Sequence, residues 1–356
     1  MAAAPHCLGE GVTQMTRRSN LAFRYRGAAF VLASLFVSTL WALPPKLAAG
    51  SHTVHAALPA QPKQPLLDGS VDTRQCSAGS PALAYFQSRL YLAWTGCDAS
   101  RHLNIESSTD GVTWGNKVTL TDTAKSGTGP ALAVFHNHLY VVWAGTDSPS
   151  HMHIGYFQGN SALANHTWLA DSTGYTPALA YYSANGLSYL YLAWTGTDSA
   201  HHLNFEDSAD GITFTHKVTL TDTSARGPSL AVFNGRLYAD WVGTDTPRHM
   251  WVGYYVRTSS LGGHARLPWV PTPDGDPALA AQGGNLFAAF TQSNSIVSIS
   301  QSSDGLSWGT LNSVCYNDLG CTYLGVGLAS DPLICVLPVQ AWTGPLNQAG
   351  DIIVQC

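Results

Sequence analysis

Short runs of alternating apolar and polar residues, four to a set, recur along most of this chain. In the third set, Pro177-Ala178-Leu179-Ala180-Tyr181-Tyr182 reads as one short strand and Tyr189-Leu190-Tyr191-Leu192-Ala193-Trp194 as a second. His202-Leu203-Asn204-Phe205-Glu206 alternates strictly, and Lys217-Val218-Thr219-Leu220-Thr221 is rich in β-branched residues. Such patterning predicts strands that pack against neighbours on a pleated surface. Asn185-Gly186, Thr195-Gly196-Thr197-Asp198 and Asp210-Gly211 supply the turns between them. Four antiparallel strands in about 50 residues are the size of one propeller blade.

The first strand carries a recurring phrase, PALAYF at 81–86, which returns in variant form from Pro130, Pro177, Pro228 and Pro277. The starts are 49, 47, 51 and 49 residues apart. Five sets are complete, and the tail offers three more strand-like runs, Tyr323–Leu328, Leu333–Trp342 and Asp351–Gln355. Gln64-Pro65-Leu66-Leu67-Asp68 precedes the first set much as Thr119-Leu120-Thr121-Asp122 precedes the second. The expectation is an all-β, six-bladed β-propeller of four-stranded antiparallel blades, closed by an N-terminal strand from residues near 64–70. Closure removes the open sheet edges that invite aggregation. Blades also pair: Lys117–Thr123 and Lys217–Thr223 are identical (KVTLTDT), while His151 and His249 each open a His-Met-x-(Ile/Val)-Gly-Tyr run in the other two.

Residues 1–56 break the pattern. Arg17, Arg18, Arg24 and Arg26 precede an apolar run from Gly27 to Leu43 and a small-residue stretch ending near Ala56. This order predicts an export leader (1–56), then a short linker (57–63) and the propeller (64–356). An uncleaved membrane anchor is the alternative for the same run. Six cysteines follow the leader: Cys76, Cys97, Cys315, Cys321, Cys335 and Cys356. An even number in an exported chain predicts disulfides. Cys97 replaces the Thr found at 146, 197 and 244 and shares an expected face with Cys76, so that pair is expected first. Cys315 with Cys321 and Cys335 with Cys356 follow as neighbours. Charged residues are only 11% and the net charge is −5, so no basic stripe marks a nucleic-acid partner.

Two turn families carry candidate chemistry. The first reads Trp94-Thr95-Gly96-Cys97-Asp98, with counterparts ending in Asp147, Asp198 and Asp245. Four residues after each Asp stands a His: His102, His151, His202 and His249. Arg101 and Arg248 precede two of them. A local account makes each Asp a turn cap that holds its His. A functional account makes each pair a sugar site, because carboxylates accept from hydroxyls and an aromatic face covers a sugar ring. Repetition in four blades favours the local account. No zinc spacing is present, and neither a metal nor another cofactor is expected.

The second family reads Ser108-Thr109-Asp110-Gly111-Val112-Thr113-Trp114, with counterparts at Asp210 and Asp304. These turns resemble the Asp-box (BNR) turns of the sialidase superfamily, one residue shorter than the usual form, and the resemblance covers most of residues 64–356. It implies a six-bladed ring with the boxes on the face opposite the functional one. It also implies an arginine triad, a Tyr/Glu nucleophile pair and an aspartic acid/base in members that hydrolyse sialosides. The family's Arg-Ile-Pro motif has no counterpart in place: Arg266-Leu267-Pro268 falls in the wrong blade, and near the first blade only Arg74 offers an arginine. No catalytic residue is assigned. The functional expectation is an exported, secreted or cell-surface protein, monomeric, that binds a glycan or cell-surface polysaccharide. A sialidase-like glycoside hydrolase and a protein-interaction scaffold are the alternatives.

Overall fold

Consecutive residues of one strand serve two different cores. Leu190, Leu192 and Trp194 pack with residues of the preceding repeat, whereas Tyr191 and Ala193 pack with residues of the following one. Period-two alternation thus builds a stack of sheets buried on both faces. A computed structural model describes residues 70–184, 186–271, 275–292, 297–313, 326–329, 339–344 and 351–355. The expected leader and linker, and Cys315, Cys321, Cys335 and Cys356, lie outside the described residues.

The first described strand is β1 (Ser70–Cys76). The first blade is β2 (Ala82–Phe86), β3 (Arg89–Thr95), β4 (His102–Ser108) and β5 (Gly115–Thr123). The second is β6 (Ala131–Phe135), β7 (His138–Ala144), β8 (His151–Phe157) and β9 (Ala164–Ser172). The third is β10 (Ala178–Ala184), β11 (Leu187–Thr195), β12 (His202–Ser208) and β13 (Thr215–Thr223). The fourth is β14 (Ser229–Phe233), β15 (Arg236–Val242), β16 (Met250–Tyr254) and β17 (Gly262–Arg266). The fifth is β18 (Ala278–Gln282), β19 (Asn285–Thr291), β20 (Val297–Ser302) and β21 (Asn312–Ser313). Within each, sheet order follows sequence order and all pairs are antiparallel. The chain is an all-β propeller of four-stranded antiparallel blades.

A further sheet has the order β1-β24-β23-β22, where β22 is Val326–Ala329, β23 Val339–Gly344 and β24 Asp351–Gln355. Its N-terminal member is Ser70–Cys76, paired as Ser70↔Gln355 and Asp72↔Ile353. Of the expected closing segment near 64–70, Ser70 lies in this strand and residues 64–69 lie outside the described residues. Cys76 at the strand's end is bonded to Cys97 in the first blade, with Cα atoms 5.6 Å apart. That bridge anchors the end of β1 and contributes about 2–4 kcal/mol against the unfolded chain.

The Asp-box turns are structural. Asp110 Oδ1 accepts from the N–H groups of Val112 and Thr113 at 2.9 and 2.7 Å and from the Ser108 hydroxyl at 2.9 Å. Burial opposes ionisation, yet these donors hold Asp110 and Asp210 down at about 2. The glycine is required twice over. Gly211 has φ +80, and a Cβ there would meet the Tyr140 hydroxyl of the preceding blade at 2.3 Å. Tyr140 donates to the Asp210 carbonyl, as Tyr238 does to that of Asp304, so these two boxes also dock a neighbouring blade.

Odd blades meet near the start of their inner strands. Ser80 and Thr176 donate to Asp276 Oδ2 at 2.8 and 2.6 Å, and the Gly227 N–H donates to Oδ1 at 3.0 Å. The even blades place Gly129 and Gly227 at the matching positions, where a Cβ would strike the Ser80 and Thr176 carbonyls at 1.9 and 2.2 Å. Burial raises the Asp276 carboxyl despite these donors. A cavity of about 100 Å³ lies here, lined by the inner strands of all the sheets.

Candidate functional site

The turns joining second to third strands lie on the face opposite the Asp boxes, because antiparallel strands place successive turns at opposite ends. All four expected Asp/His pairs form. His102 Nδ1 lies 2.9 Å from Asp98 Oδ1, and His202 Nδ1 lies 2.8 Å from Asp198 Oδ1. His151 pairs with Asp147 and His249 with Asp245 in the same way. Each carboxylate also accepts the N–H of its own histidine, for example His151 N–H to Asp147 Oδ1 at 3.1 Å. Burial is slight, and the imidazole with these N–H groups outweighs it, holding all four aspartates below their ordinary range. The aspartates and histidines stay partly exposed, with side chains 44% and 37% accessible at Asp98 and His102. Local capping and an exposed polar mouth are therefore both present. Arg248 is exposed, while Arg101 is half-buried and adopts φ +58 as its N–H closes the turn on the Asp98 carbonyl.

Beneath the mouths of blades one to four, the seams between sheets alternate in chemistry. At the seam leading into the third blade, Lys217 pairs with Asp171 of β9, and its ammonium lies 5.2 Å from the centre of the Trp194 ring. At the seam between β1 and the first blade, Lys117 donates to Gln75 at 2.6 Å and sits 5.1 Å from Trp94. Glu106 and Glu206 occupy the matching third-strand positions. Burial pushes the Glu106 carboxyl up to about 7 against the pull of Lys117. Burial and then the charge of Asp171 raise Glu206 to about 7.

Two further seams, into the second and fourth blades, use imidazole. His166 Nδ1 lies 3.3 Å from Asp122 of the first blade, and His166 Nε2 lies 3.1 Å from His153 Nδ1. Both rings lie against Trp143, with centroids 5.4 and 5.2 Å away. Burial and then the neighbouring His166 hold His153 below the ordinary histidine range. In the fourth blade His264 Nε2 lies 2.9 Å from Asp222 and stacks on Trp241 and Trp251. Trp168 stands 62% exposed beside the His151 ring at 4.8 Å.

No family model matches this chain, and no curated protein matches it in sequence. Solved structures match it in shape. SapL1 lectin in complex with alpha methyl fucoside superposes with a TM-score of 0.55 at 12% identity, over 78% of this chain and 92% of that one. The fucose-specific lectin from Aleuria aurantia gives 0.54 at 8%, over 79% and 97%. The Trypanosoma rangeli sialidase in complex with the inhibitor DANA gives 0.54 at 11%, over 81% of this chain and 58% of that one. The fold is that of the sialidase and fucose-lectin propellers. The likeness is one of fold, and the chain spans little more than half the length of the sialidase.

Within this propeller the seam residues escaped sequence reasoning, although their signal was present. The identical KVTLTDT segments carry Lys117, Lys217, Asp122 and Asp222, four of the seam groups. The repeated tryptophans are inter-blade packing, each about 1% exposed. Among the described residues, no three His, Cys, Asp or Glu side chains gather as metal ligands. Arg266 ends β17 in the fourth blade, away from the position a sialidase motif requires.

Proposed function

We propose that this propeller binds carbohydrate, with one mouth on each of blades one to four. The observation that carries the reading is the fourfold recurrence of a partly exposed Asp/His pair above a seam holding a tryptophan and further polar side chains. Each mouth offers carboxylate acceptors and an imidazole to sugar hydroxyls, and exposed Trp168 gives the second an aromatic face. The ligand is a glycan or cell-surface polysaccharide, and the protein is exported and monomeric. In this reading the sheet β1-β24-β23-β22 is the sixth blade and β1 closes the ring. Two apolar clusters support that closure, one packing Leu328 with the fifth blade and one packing Ala329, Ala341 and Val354 with the first.

A hydrolase reading rests on Glu206, whose carboxyl burial and then the nearby Asp171 raise to about 7. Asp171 is already ion-paired with Lys217 within the seam, whereas a glycosidase's two carboxyls flank the scissile bond in an open site. Binding therefore stands first. A glycan array on the purified chain, run beside fluorogenic glycoside substrates, separates the two. Multivalent binding weakened by Asp198→Ala with His202→Ala in a folded protein supports it. Turnover abolished by Glu206→Gln replaces it with the enzyme, and neither binding nor turnover leaves an interaction scaffold.

A further inference from the structure

Near the Asp-box face, the seam between the third and fourth blades is filled by an ionic plug. Arg257 donates to Asp207 Oδ2 at 2.6 Å and to the Tyr191 hydroxyl at 2.7 Å. His216 Nδ1 lies 2.8 Å from the other Asp207 oxygen, and Asp207 is only 2% exposed. The Arg257 guanidinium also lies over the rings of Tyr189 and Tyr191, at 5.2 and 5.7 Å. Its backbone sits at φ +59, a conformation that costs a non-glycine residue about 1 kcal/mol.

The equivalent seam between the first and second blades has lost the plug. Gly159, φ +83, stands where Arg257 is; Ser107 replaces Asp207 and Asn116 replaces His216. A cavity of about 180 Å³ opens there, with Tyr91, Ile105 and Phe157 among its walls. Arg89 and Asn116 both donate to the Ser107 hydroxyl, each at 3.5 Å, the outer limit of a hydrogen bond. Glu106 also borders the cavity, but strand alternation turns its side chain to the opposite seam, where Lys117 lies. The side chains facing the cavity thus carry one full charge, a guanidinium, and no anion to meet it.

We infer that this cleft binds a small organic carboxylate. The ligand's carboxylate takes the place beside Arg89 and Asn116 that Asp207 holds in the third blade, and its body lies between Tyr91 and Phe157. Guanidinium and amide donors suit an ionised acceptor better than a hydroxyl, and the aromatic walls suit a flat or apolar body. The site is separate from the sugar mouths on the other face.

Calorimetric titration of the purified chain with benzoate tests this, with benzamide and inorganic phosphate as partial mimics. The expected result is saturable one-to-one benzoate binding, at least about tenfold tighter than either mimic. Arg89→Gln weakens it by about tenfold. Gly159→Arg with Ser107→Asp rebuilds the plug and abolishes binding while leaving glycan binding intact; a Cβ at Gly159 meets nothing within 4 Å. Absence of saturable benzoate binding, equal affinity for benzamide, or benzoate affinity unchanged in Arg89→Gln overturns the inference, whether or not the plugged variant folds.

Discussion

Seams of the lysine kind and seams of the histidine kind solve one problem with different ions. Both must seat a fully buried tryptophan where two outer strands meet, and both bring polar side chains to it. Lys117 and Lys217 reach Trp94 and Trp194 as flexible cations, and a glutamate, buried Glu106 or half-buried Glu206, sits near each. At Trp143 and Trp241 flat imidazoles lie against the indole and turn a nitrogen towards an aspartate of the preceding blade. The two arrangements alternate over the first four blades, and at the fifth Phe290 packs on Trp269 instead. The difference teaches that the repeating unit is a pair of blades, since a single-blade repeat has no reason to alternate its ions.

The largest expected effect comes from removing an indole. Trp194→Ala should cost about 3–5 kcal/mol, and Trp241→Ala should cost roughly 1 kcal/mol less, because the stacked Trp251 and His264 can slide into part of the space. Urea unfolding of both variants measures this. Equal losses would break the claim that the histidine seam is backed by further rings.

Next come the glutamates. Unfolded Glu106 and Glu206 ionise near 4.5 and folded ones near 7. The folded state holds the extra protons, so this contribution is full below pH 4.5 and is lost as pH rises through 7. Glu106→Gln with Glu206→Gln should flatten that decline and leave the variant on the order of 2 kcal/mol more stable above it. His264→Asn, in the other kind of seam, should leave the decline in place. Unfolding curves from acid to mildly alkaline pH decide it; a decline that persists in the double glutamine variant removes the glutamates as its source.

The smallest effect belongs to the mouths. Asp198 is held below its ordinary value, so its contribution is present above 3.8 and is lost as pH falls through the lower folded value. It is well exposed, so Asp198→Asn should cost less than about 1 kcal/mol at neutral pH and nothing in strong acid. A larger loss would make the mouth a structural element first and weaken the case for a sugar site.

Period-two alternation and the Pro-Ala-Leu-Ala phrase made the blades legible in the sequence, because each blade repeats the same burial problem. The Asp/His pairs were legible for a related reason: their partners are four residues apart in one turn. The seams were not. Lys217 meets Asp171 across 46 residues and His166 meets Asp122 across 44, so only blade packing brings them together. The cleft at Arg89 was hidden further, since it is defined by what Gly159 and Ser107 lack, and absence shows only beside its filled counterpart.

The knot at Asp276 gives the ring an order of assembly. Ser80 and Thr176 belong to the first and third blades, yet their shared acceptor is not made until residue 276. During synthesis from the N-terminus, earlier blades can pair their own strands as they emerge but cannot be tied at the centre. One carboxyl, delivered late, works as a latch: it ties the entries of the first and third blades to the fifth, and a chain truncated before it would lack the common acceptor of the Ser80 and Thr176 hydroxyls.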